Sequence, residues 1–360
     1  MGILLALFSI GVGVGSLTCE KLSYKQVEIG LVPLGSIGLS VFGMDLFFAT
    51  PDLAQNSLST AHAFITHPEL TRVFIDLFFI GVFGGFYIVP LYALIQQHTD
   101  STYIARVIAG NNILNSLFMV FSAILAMVIL GQGGTIPQLF AVTAILNFVV
   151  AVYIYALVPE FLMRFISWII IHLIYRVRVK GLSNIPAEGP AILVCNHISF
   201  ADAVLILGNI RRPVRFVMYH KIFDIPVISW IFRSVNSISI APRKEDADLL
   251  AKAYEDIHQG LDNGDLICIF PEGSITQDGE VQDFKPGIEK MLDRDPVPVI
   301  PMALSGLWGS IFSRKDKKLL DRRPRKLWSK ITLRIGTARA TEQATAALLR
   351  EEVIKLKNEQ

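Results

Sequence analysis

The chain has 360 residues, of which 52% are hydrophobic and only 18% are charged, and its formal net charge at pH 7 is +2. A mean hydropathy of +0.50 is too high for an ordinary soluble protein, so part of the chain is expected in lipid. The small net charge argues against a nucleic-acid partner, because such proteins concentrate basic charge. Cys19, Cys195 and Cys268 lie in or beside apolar runs and fit reduced core residues in a cytosolic redox environment.

Residues 1–159 are predicted to form a membrane domain with about five transmembrane helices. The apolar stretches that predict these helices are residues 3–17, 29–49, 73–95, 107–130 and 136–158. Basic residues lie in alternate connections and again after residue 158. By the positive-inside rule, the N-terminus is expected outside and the second half of the chain in the cytoplasm, as in a bacterial-type inner membrane.

Glycine is frequent in the predicted spans, as in IGVGVGS and GVFGG, which suits close packing of helices. The spans also contain or border a few polar residues: Glu28, Asp45, Asp76, Asn111, Asn112 and Asn115. These side chains fit either a substrate or proton path or, the interpretation we favour, helix caps and hydrogen bonds between neighbouring helices.

Two pairs of stretches in this half resemble a transporter family. GSLTCEKLS followed by EIGLVPLG, and VPLYALIQQH followed by ARVIAGNNILNSLFMV, are similar to the C-terminal helices of the lysophospholipid transporter branch of the major facilitator superfamily. That fold needs two six-helix halves around a central substrate site. The predicted helices fall short of this number, so we expect a truncated fusion, or a gene model that starts late, without transport by this chain alone.

The remainder of the chain is predicted to be an interfacial helix and an α/β domain. Residues 160–176 have Trp168 and Tyr175 at headgroup level and basic residues directly after them, which is typical of a helix on a membrane surface. Apolar strands alternate with helices over residues 177–340, which predicts a largely parallel sheet. Strands are expected near 177–182, 191–195, 214–218, 238–240, 266–270, 297–304 and 331–335, one helix at 246–263, and a C-terminal surface helix in 341–360.

The stretch AILVCNHISFAD, residues 191–202, is the main candidate for catalysis. Its apolar run delivers His197 to the edge of the sheet, where open α/β folds bind ligands. Asp202 is close enough along the chain to bond one imidazole nitrogen, so that the other can take a proton from an alcohol. Ser199 could suggest a serine hydrolase, but it has no flanking elbow glycines.

Four short blocks follow one another in the second half of the chain. They are NHISFAD at 196–202, FVMYHKIFDIP through SISIAPR at 216–243, FPEGSIT at 270–276 and VPVIPMAL at 297–304. Together they resemble the blocks of the glycerolipid acyltransferases of the lysophosphatidic acid acyltransferase type. The resemblance implies that His197 is the general base and Asp202 its orienting partner. It also implies direct transfer with no acyl-enzyme, no metal and no cofactor besides the acyl donor.

The resemblance also implies which residues bind the acceptor. Glu272 and Gly273 lie in a turn where a carboxylate and exposed backbone N–H groups would hold the glycerol part. The alternative is a strand-to-helix turn in which Pro271 and Gly273 serve geometry alone. Three cations would hold the phosphate: Lys221 and Arg243 of the second block, and Lys285 just after the third. The alternative for each cation is a solvated surface residue.

One position departs from the family pattern. The family commonly has an arginine that binds phosphate where Ile275 stands, so lysophosphatidic acid is not assumed to be the acceptor. Two further histidines, His220 and His258, show no partner pattern and are expected at the surface. The basic and aromatic segment 308–330 is expected to contact anionic lipid headgroups, with nucleic acid as the alternative.

These observations predict a membrane-bound acyltransferase that uses acyl-CoA or acyl carrier protein as donor and a lysophospholipid or acylglycerol phosphate as acceptor. Membrane phospholipids are the expected partners. The alternative is a lysophospholipid transporter fragment whose cytoplasmic domain binds lipid without catalysis.

Overall fold

The computed structural model describes residues 2–22, 30–50, 67–310, 312–313 and 328–359. The chain divides into two compact units, Met1–Leu162 and Met163–Gln360. The division falls inside one helix, Pro159–Ile174.

The first unit is helical in its described part. Its long helices are α1 (Gly2–Leu22), α2 (Leu31–Ala49), α3 (Thr71–His98), α4 (Ile104–Gly131) and α5 (Ile136–Leu157). Each has the length and the apolar composition needed to cross a membrane. They agree with the five stretches expected from the sequence, and many large apolar side chains on α4 and α5 are exposed, including Phe118, Met119 and Phe148.

Glycines bring α1 and α3 into close contact, as the sequence predicts. A Cβ placed on Gly15 would collide with the backbone of Val82, and one placed on Gly81 would collide with the backbone of Phe8. Because only glycine leaves room for this approach, the two helices pack backbone against backbone.

Polar residues of the first unit bond neighbouring helices. Asp45 of α2 accepts hydrogen bonds from Arg72 of α3, one of them 2.9 Å from Nε. Asn111 of α4 donates to the Tyr92 hydroxyl at 2.9 Å, and Asn115 to the same oxygen at 3.3 Å. For Asp45, Asn111 and Asn115 these contacts favour the bonding interpretation over a proton path. Asp76 is buried and its Oδ2 has no hydrogen-bond partner among the described residues, and Glu28 lies outside them.

The second unit is built on a seven-stranded sheet, preceded by helix α6 (Pro159–Ile174). The strands are β1 (Tyr175–Lys180), β2 (Ala191–Cys195), β3 (Val214–Tyr219), β4 (Ile238–Ile240), β5 (Leu266–Ile269), β6 (Val299–Ser305) and β7 (Ser329–Ile335). Their order is β1-β7-β6-β2-β5-β3-β4, and every pair is parallel except β6 with β7. The expected largely parallel sheet is confirmed.

The remaining helices cover this sheet. They are α7 (Asp202–Asn209), α8 (Pro226–Ser234), α9 (Ala247–Asp262), α10 (Gly287–Arg294) and α11 (Ala346–Asn358). One buried cluster joins Ile192 and Val194 of β2 to Ile257 of α9, Ile288 of α10 and Leu349 of α11. The side chain of Asp246 caps α9, so this helix begins where the sequence predicts.

The topology fixes which residues meet at one edge of the sheet. Since β2, β5, β3, β4 and β6 are parallel, their carboxyl ends lie together, and the four sequence blocks begin or end there. The amino ends of β1 and β7 lie at the same edge because β7 runs antiparallel to β6. Most of the basic segment 308–330 lies outside the described residues.

Candidate active site

The predicted hydrogen bond between His197 and Asp202 is present. His197 Nδ1 lies 2.8 Å from Asp202 Oδ2. His197 follows β2 by two residues, and Asp202 is the first residue of α7, so a single tight turn brings them together. The Asp202 side chain is fully buried, whereas 21% of the His197 side chain is exposed.

The same carboxylate oxygen organises the turn between the two residues. Asp202 Oδ2 accepts the backbone N–H of Ile198 at 2.6 Å and that of Ser199 at 2.9 Å. These bonds fix the direction of the carboxylate toward the imidazole. With Nδ1–H donated to Asp202, the other ring nitrogen Nε2 is left as an acceptor, and no described residue hydrogen-bonds it.

Further contacts fix the His197 ring and backbone from the loop after β5. The imidazole stacks on the ring of Phe270, with centroids 4.3 Å apart and planes inclined by 20°. The His197 carbonyl accepts the N–H of Thr276 at 2.9 Å. The imidazole therefore has one ring face against Phe270 and one nitrogen against Asp202, which leaves Nε2 as its reactive atom.

Glu272 is a structural link rather than an open carboxylate. Only 5% of the residue is exposed. Its Oε1 accepts the backbone N–H of His197 at 2.8 Å, and its Oε2 accepts that of Gln282 at 3.0 Å. Burial raises the pKa of Glu272, and the two backbone hydrogen bonds oppose that rise. Because both oxygens are engaged, the predicted contact with the glycerol part of an acceptor is unsupported by the geometry of this side chain.

The turn at Gly273 differs in detail from the expectation. Gly273 has φ of +70°, and a side chain there would collide with the ammonium of Lys285. Its backbone N–H is donated to the Phe270 carbonyl at 3.0 Å, so it is not an exposed donor. The exposed Ser274 makes no hydrogen bond from its N–H to any described residue, so that donor is open to a ligand.

Lys285 is the predicted cation that lies nearest to this turn. Its ammonium packs against Gly273, two residues after Pro271, whose carbonyl accepts the Lys285 N–H at 3.0 Å. The side chain is exposed, and no ion pair joins it to the described residues. Lys285 is therefore positioned to meet an anion beside the loop that holds His197.

The other two predicted cations differ in their surroundings. Lys221 is paired with Glu245, at 2.8 Å, and its ammonium lies 5.5 Å from the centre of the Tyr219 ring. Arg243 is exposed and has no hydrogen bond or ion pair within the described ranges. Both follow the carboxyl ends of their strands, β3 and β4, on the same edge as His197.

Glu245 joins the two ends of the second block. It accepts hydrogen bonds from the Tyr219 hydroxyl at 2.9 Å and contacts His220 Nε2 at 3.2 Å, in addition to Lys221. Hydrogen bonds from Lys221, Tyr219 and His220 lower the pKa of Glu245 to about 2, and that of Lys221 is raised by the same contact. The carboxylate is thus charged and holds three side chains in fixed positions.

His220 and His258, which show no partner pattern in the sequence, both have carboxylate partners in the fold. His220 bonds Glu245, and His258 bonds Asp295 through Nδ1 at 2.6 Å. In both pairs the two residues are more than twenty positions apart in sequence, although His258 also lies 3.5 Å from Asp262, four residues along its own helix.

The hydroxyl of Ser199 is used within the turn. The residue is fully buried, and its Oγ accepts the N–H of Ala201 at 2.9 Å. This position does not suit a nucleophile. Ile275, where the family has arginine, is buried with 6% exposure, so it offers an apolar side chain and no phosphate contact.

Sequence reasoning missed several residues that hold the site together. The Asn196 amide donates to the Leu304 carbonyl at 3.1 Å and accepts the Leu304 N–H at 2.8 Å, which ties the end of β2 to β6. The role of Asn196 could have been suspected from its position, because it directly precedes His197 at the end of a predicted strand. No sequence pattern indicated the roles of Phe270 and Gln282, because these roles depend on the folded loop after β5. Burial raises the pKa of the thiols of Cys195 and Cys268, so these residues are inert core groups.

The sequence around this site matches the model of a known family. Residues 176–305 match the family model described as Acyltransferase. The matched range lies within the second unit, which is thus similar to this family, and it contains His197, Asp202, Lys221, Arg243, Glu272, Gly273 and Lys285.

Curated relatives that are similar to this chain are also named as acyltransferases. The chain is 29% identical over 166 residues to the chloroplastic 1-acyl-sn-glycerol-3-phosphate acyltransferase LPAT1 of Arabidopsis thaliana, which covers 45% of each chain. It is 32% identical over 114 residues to lysophosphatidylcholine acyltransferase 1 of Danio rerio, covering 31% of this chain and 21% of that protein. The chain thus spans less than half the length of these relatives.

A solved structure is also similar. The crystal structure of the 1-acyl-sn-glycerophosphate acyltransferase PlsC from Thermotoga maritima has 25% sequence identity, with a TM-score of 0.41 over 51% of this chain and 70% of that chain.

Proposed function

We propose that this protein is a membrane-bound acyltransferase that transfers a fatty acyl group from a thioester donor to the hydroxyl of an acylglycerol phosphate or lysophospholipid. The observation that carries the proposal is the His197 imidazole, held by Asp202 at Nδ1 and stacked on Phe270, with Nε2 open. One relative is named for acylglycerol phosphate and another for lysophosphatidylcholine, which supports an acceptor of this class.

The chemistry follows from the orientation of the imidazole. Nε2 accepts the proton of the acceptor hydroxyl as its oxygen attacks the thioester carbonyl carbon. A tetrahedral intermediate forms, and the carbon–sulfur bond then breaks. The departing thiolate takes the proton from the imidazolium, so the enzyme returns to its starting state with an ester and a free thiol as products. Asp202 stabilises the imidazolium while it exists.

The remaining predicted residues have distinct parts in this proposal. Lys285 and Arg243 are unpaired exposed cations within the described ranges at the carboxyl edge, and they would bind the acceptor phosphate. Lys221 would contribute from its position on Glu245. Glu272 would act by placing the backbone of His197 rather than by touching substrate.

The first unit is proposed to anchor the enzyme. Its five helices are long and apolar enough to span a bilayer, and the distribution of basic residues supports an N-terminus outside, with the acyltransferase domain in the cytoplasm of a bacterial-type cell. The likeness to lysophospholipid transporters rests on the sequence stretches alone and stays a prediction. Both acyl-CoA and acyl carrier protein are proposed donors.

The proposal is tested by acyl transfer with purified protein in lipid vesicles. Labelled acyl-CoA and acyl carrier protein are supplied in parallel to a panel of lysophospholipids that includes lysophosphatidic acid. His197→Ala should abolish transfer, whereas His258→Ala, which removes the other histidine paired with a largely buried aspartate, should retain it. Transfer that survives in His197→Ala, or folded wild-type protein without transfer to any acceptor, would overturn the proposal.

A further inference from the structure

One face of the sheet edge formed by β1 and β7 is strongly basic. In the parallel register, Arg176 is paired with Lys330, Arg178 with Thr332, and Lys180 with Arg334. Paired residues in neighbouring strands point to the same side of the sheet. The cations on this side are Arg176, Arg178, Lys180, Lys330 and Arg334, here called the β1–β7 basic face. Neither strand contains an acidic residue.

Arg334 is the unusual member of this face. It is buried, with 7% exposure, and its Nε has no hydrogen-bond partner. Its Nη1 makes one long hydrogen bond, 3.4 Å, to Ser305 Oγ, and no carboxylate of the described residues forms an ion pair with it. Burying a guanidinium is costly unless an anion compensates its charge.

Three more exposed arginines of the second unit have such anions. Arg339 pairs with Glu352 at 2.5 Å, Arg215 with Asp265 at 3.1 Å and Arg294 with Glu255 at 2.7 Å. Arg334 differs from these three in being buried with no carboxylate partner among the described residues. This difference favours an anion supplied by a ligand.

The surrounding groups favour a phosphate. The Ser305 hydroxyl contacts Arg334, and Thr332 lies opposite Ser305 in the antiparallel register, so hydroxyl groups stand beside the guanidinium. Arginine forks and hydroxyl donors match the several oxygens of a phosphate group. The number of cations suits a ligand with more than one negative charge.

The position relative to His197 indicates which substrate carries this phosphate. Lys221, Arg243 and Lys285 follow β3, β4 and β5, on one side of β2, whereas the β1–β7 basic face lies on the other side, beyond β6. The proposed reaction joins two phosphate-bearing substrates at His197. The cations on the β5 side are assigned to the acceptor, so the basic face is left for the donor.

The distances fit the arm of an acyl carrier. β7 is the second strand from β2 and β1 is the third, and strands lie about 4.8 Å apart, so the basic face is about 10–15 Å across the sheet from the end of β2. The chain between the phosphorus and the sulfur of a phosphopantetheine arm has thirteen bonds and an extended length of about 15 Å. Arg176 lies against the exposed ring of Trp328, at 5.4 Å, where the face reaches the catalytic edge.

We propose that the β1–β7 basic face, centred on Arg334, binds the phosphate of the phosphopantetheine arm of the acyl donor. This inference rests on the proposed function. The same phosphopantetheine arm is present in acyl-CoA and in acyl carrier protein, so the site serves either source.

The test measures binding of CoA, which lacks an acyl group and cannot react, to the purified full chain in neutral detergent at fixed ionic strength. Arg334→Met is compared with Arg294→Met, in which the lost arginine has a carboxylate partner. Losing one charged hydrogen-bonding group should raise the Kd for CoA about 10–100-fold in Arg334→Met and leave it unchanged in Arg294→Met. Parallel arms use inorganic phosphate and vesicles containing phosphatidic acid.

Kinetics and stability separate the possible results. With either acyl-CoA or acyl carrier protein, Arg334→Met should raise the KM for the donor without changing the KM for the acceptor. The unliganded variant should be at least as heat-stable as the wild type, because a buried unpaired charge has been removed. A lower Tm with unchanged donor affinity would make Arg334 structural and overturn the site, as would a loss of vesicle binding with CoA binding unchanged.

The same measurements distinguish failure of this binding site from failure of the proposed function. CoA binding that depends on Arg334 in a protein without acyl transfer would retain the site and remove the proposed function. Acyl transfer whose donor KM is the same in both variants would retain the function and overturn the site.

Discussion

The Glu272 carboxylate accepts the backbone N–H of His197 at 2.8 Å, across a separation of 75 residues. Its second oxygen accepts the N–H of Gln282. A residue expected from the sequence to touch substrate is thus part of the frame that holds the candidate base. This difference has measurable consequences.

We expect Glu272→Gln to lower kcat about tenfold and to leave the acceptor KM nearly unchanged. The amide keeps the shape but weakens the hydrogen bond that places His197, and small displacements of a reacting group reduce the rate. Glu272→Ala should also destabilise the fold by about 1–3 kcal/mol for each backbone N–H left unpaired. Steady-state kinetics and thermal unfolding check both statements. A rise in acceptor KM with unchanged kcat would instead show direct contact with substrate.

Asp202→Asn should reduce kcat by about 10²–10⁴-fold while the protein remains folded. The neutral amide no longer stabilises the imidazolium and can favour the wrong tautomer of His197. The matched control is Asp295→Asn, which alters the carboxylate that bonds His258 and should leave kcat unchanged. Equal losses in the two variants would contradict a specific role for Asp202.

Glu245→Gln should raise the acceptor KM severalfold without lowering kcat. Glu245 holds Lys221 and Tyr219, and a cation that is already positioned binds phosphate with less loss of side-chain freedom. Glu255→Gln, which removes another exposed carboxylate paired with a cation, serves as the control. If Glu245 merely competes with the acceptor for Lys221, the KM will fall instead.

The same carboxylate predicts that the contact between Glu245 and Lys221 depends on pH. The pKa of Glu245 is lowered to about 2 by hydrogen bonds from Lys221, Tyr219 and His220. A depressed pKa contributes stability above the unfolded value, and this contribution is lost as the pH falls through the folded value. The contact between Lys221 and Glu245 should therefore persist at pH 4 and disappear near pH 2, which NMR titration of a labelled Glu245 carboxyl group can follow.

The pairing of His258 with Asp295 predicts a pH dependence of stability with the opposite sign. Its hydrogen bond with Asp295 raises its pKa, and Asp262 adds to the effect while Arg294 opposes it. A raised pKa gives stability that is fully present below the unfolded value of 6.5 and is lost as the pH rises through the folded value. The Tm of the wild type should fall over that interval relative to His258→Gln. Parallel Tm curves for the two proteins would show that the pair does not titrate there.

The sequence by itself determined the elements and the local catalytic pair. Apolar runs with turn residues marked β2, β5 and the five long helices, because burial and bilayer thickness impose their lengths on short stretches of chain. The bond between His197 and Asp202 could be expected because the two residues are five positions apart and a single turn joins them. Residues that are close in sequence are also held close in space, so a contact between them can be predicted from the order of residues.

Only the tertiary structure decided which distant groups complete the site. Glu272 reaches His197, Asn196 reaches Leu304, and Glu245 reaches Lys221, each across a sequence separation of 24 residues or more. These contacts depend on the strand order β6-β2-β5-β3-β4, which no periodicity encodes. The pairing of β1 with β7 likewise created a basic face from residues more than 150 positions apart. Cross-strand register brings such groups together, and register is a property of the folded sheet.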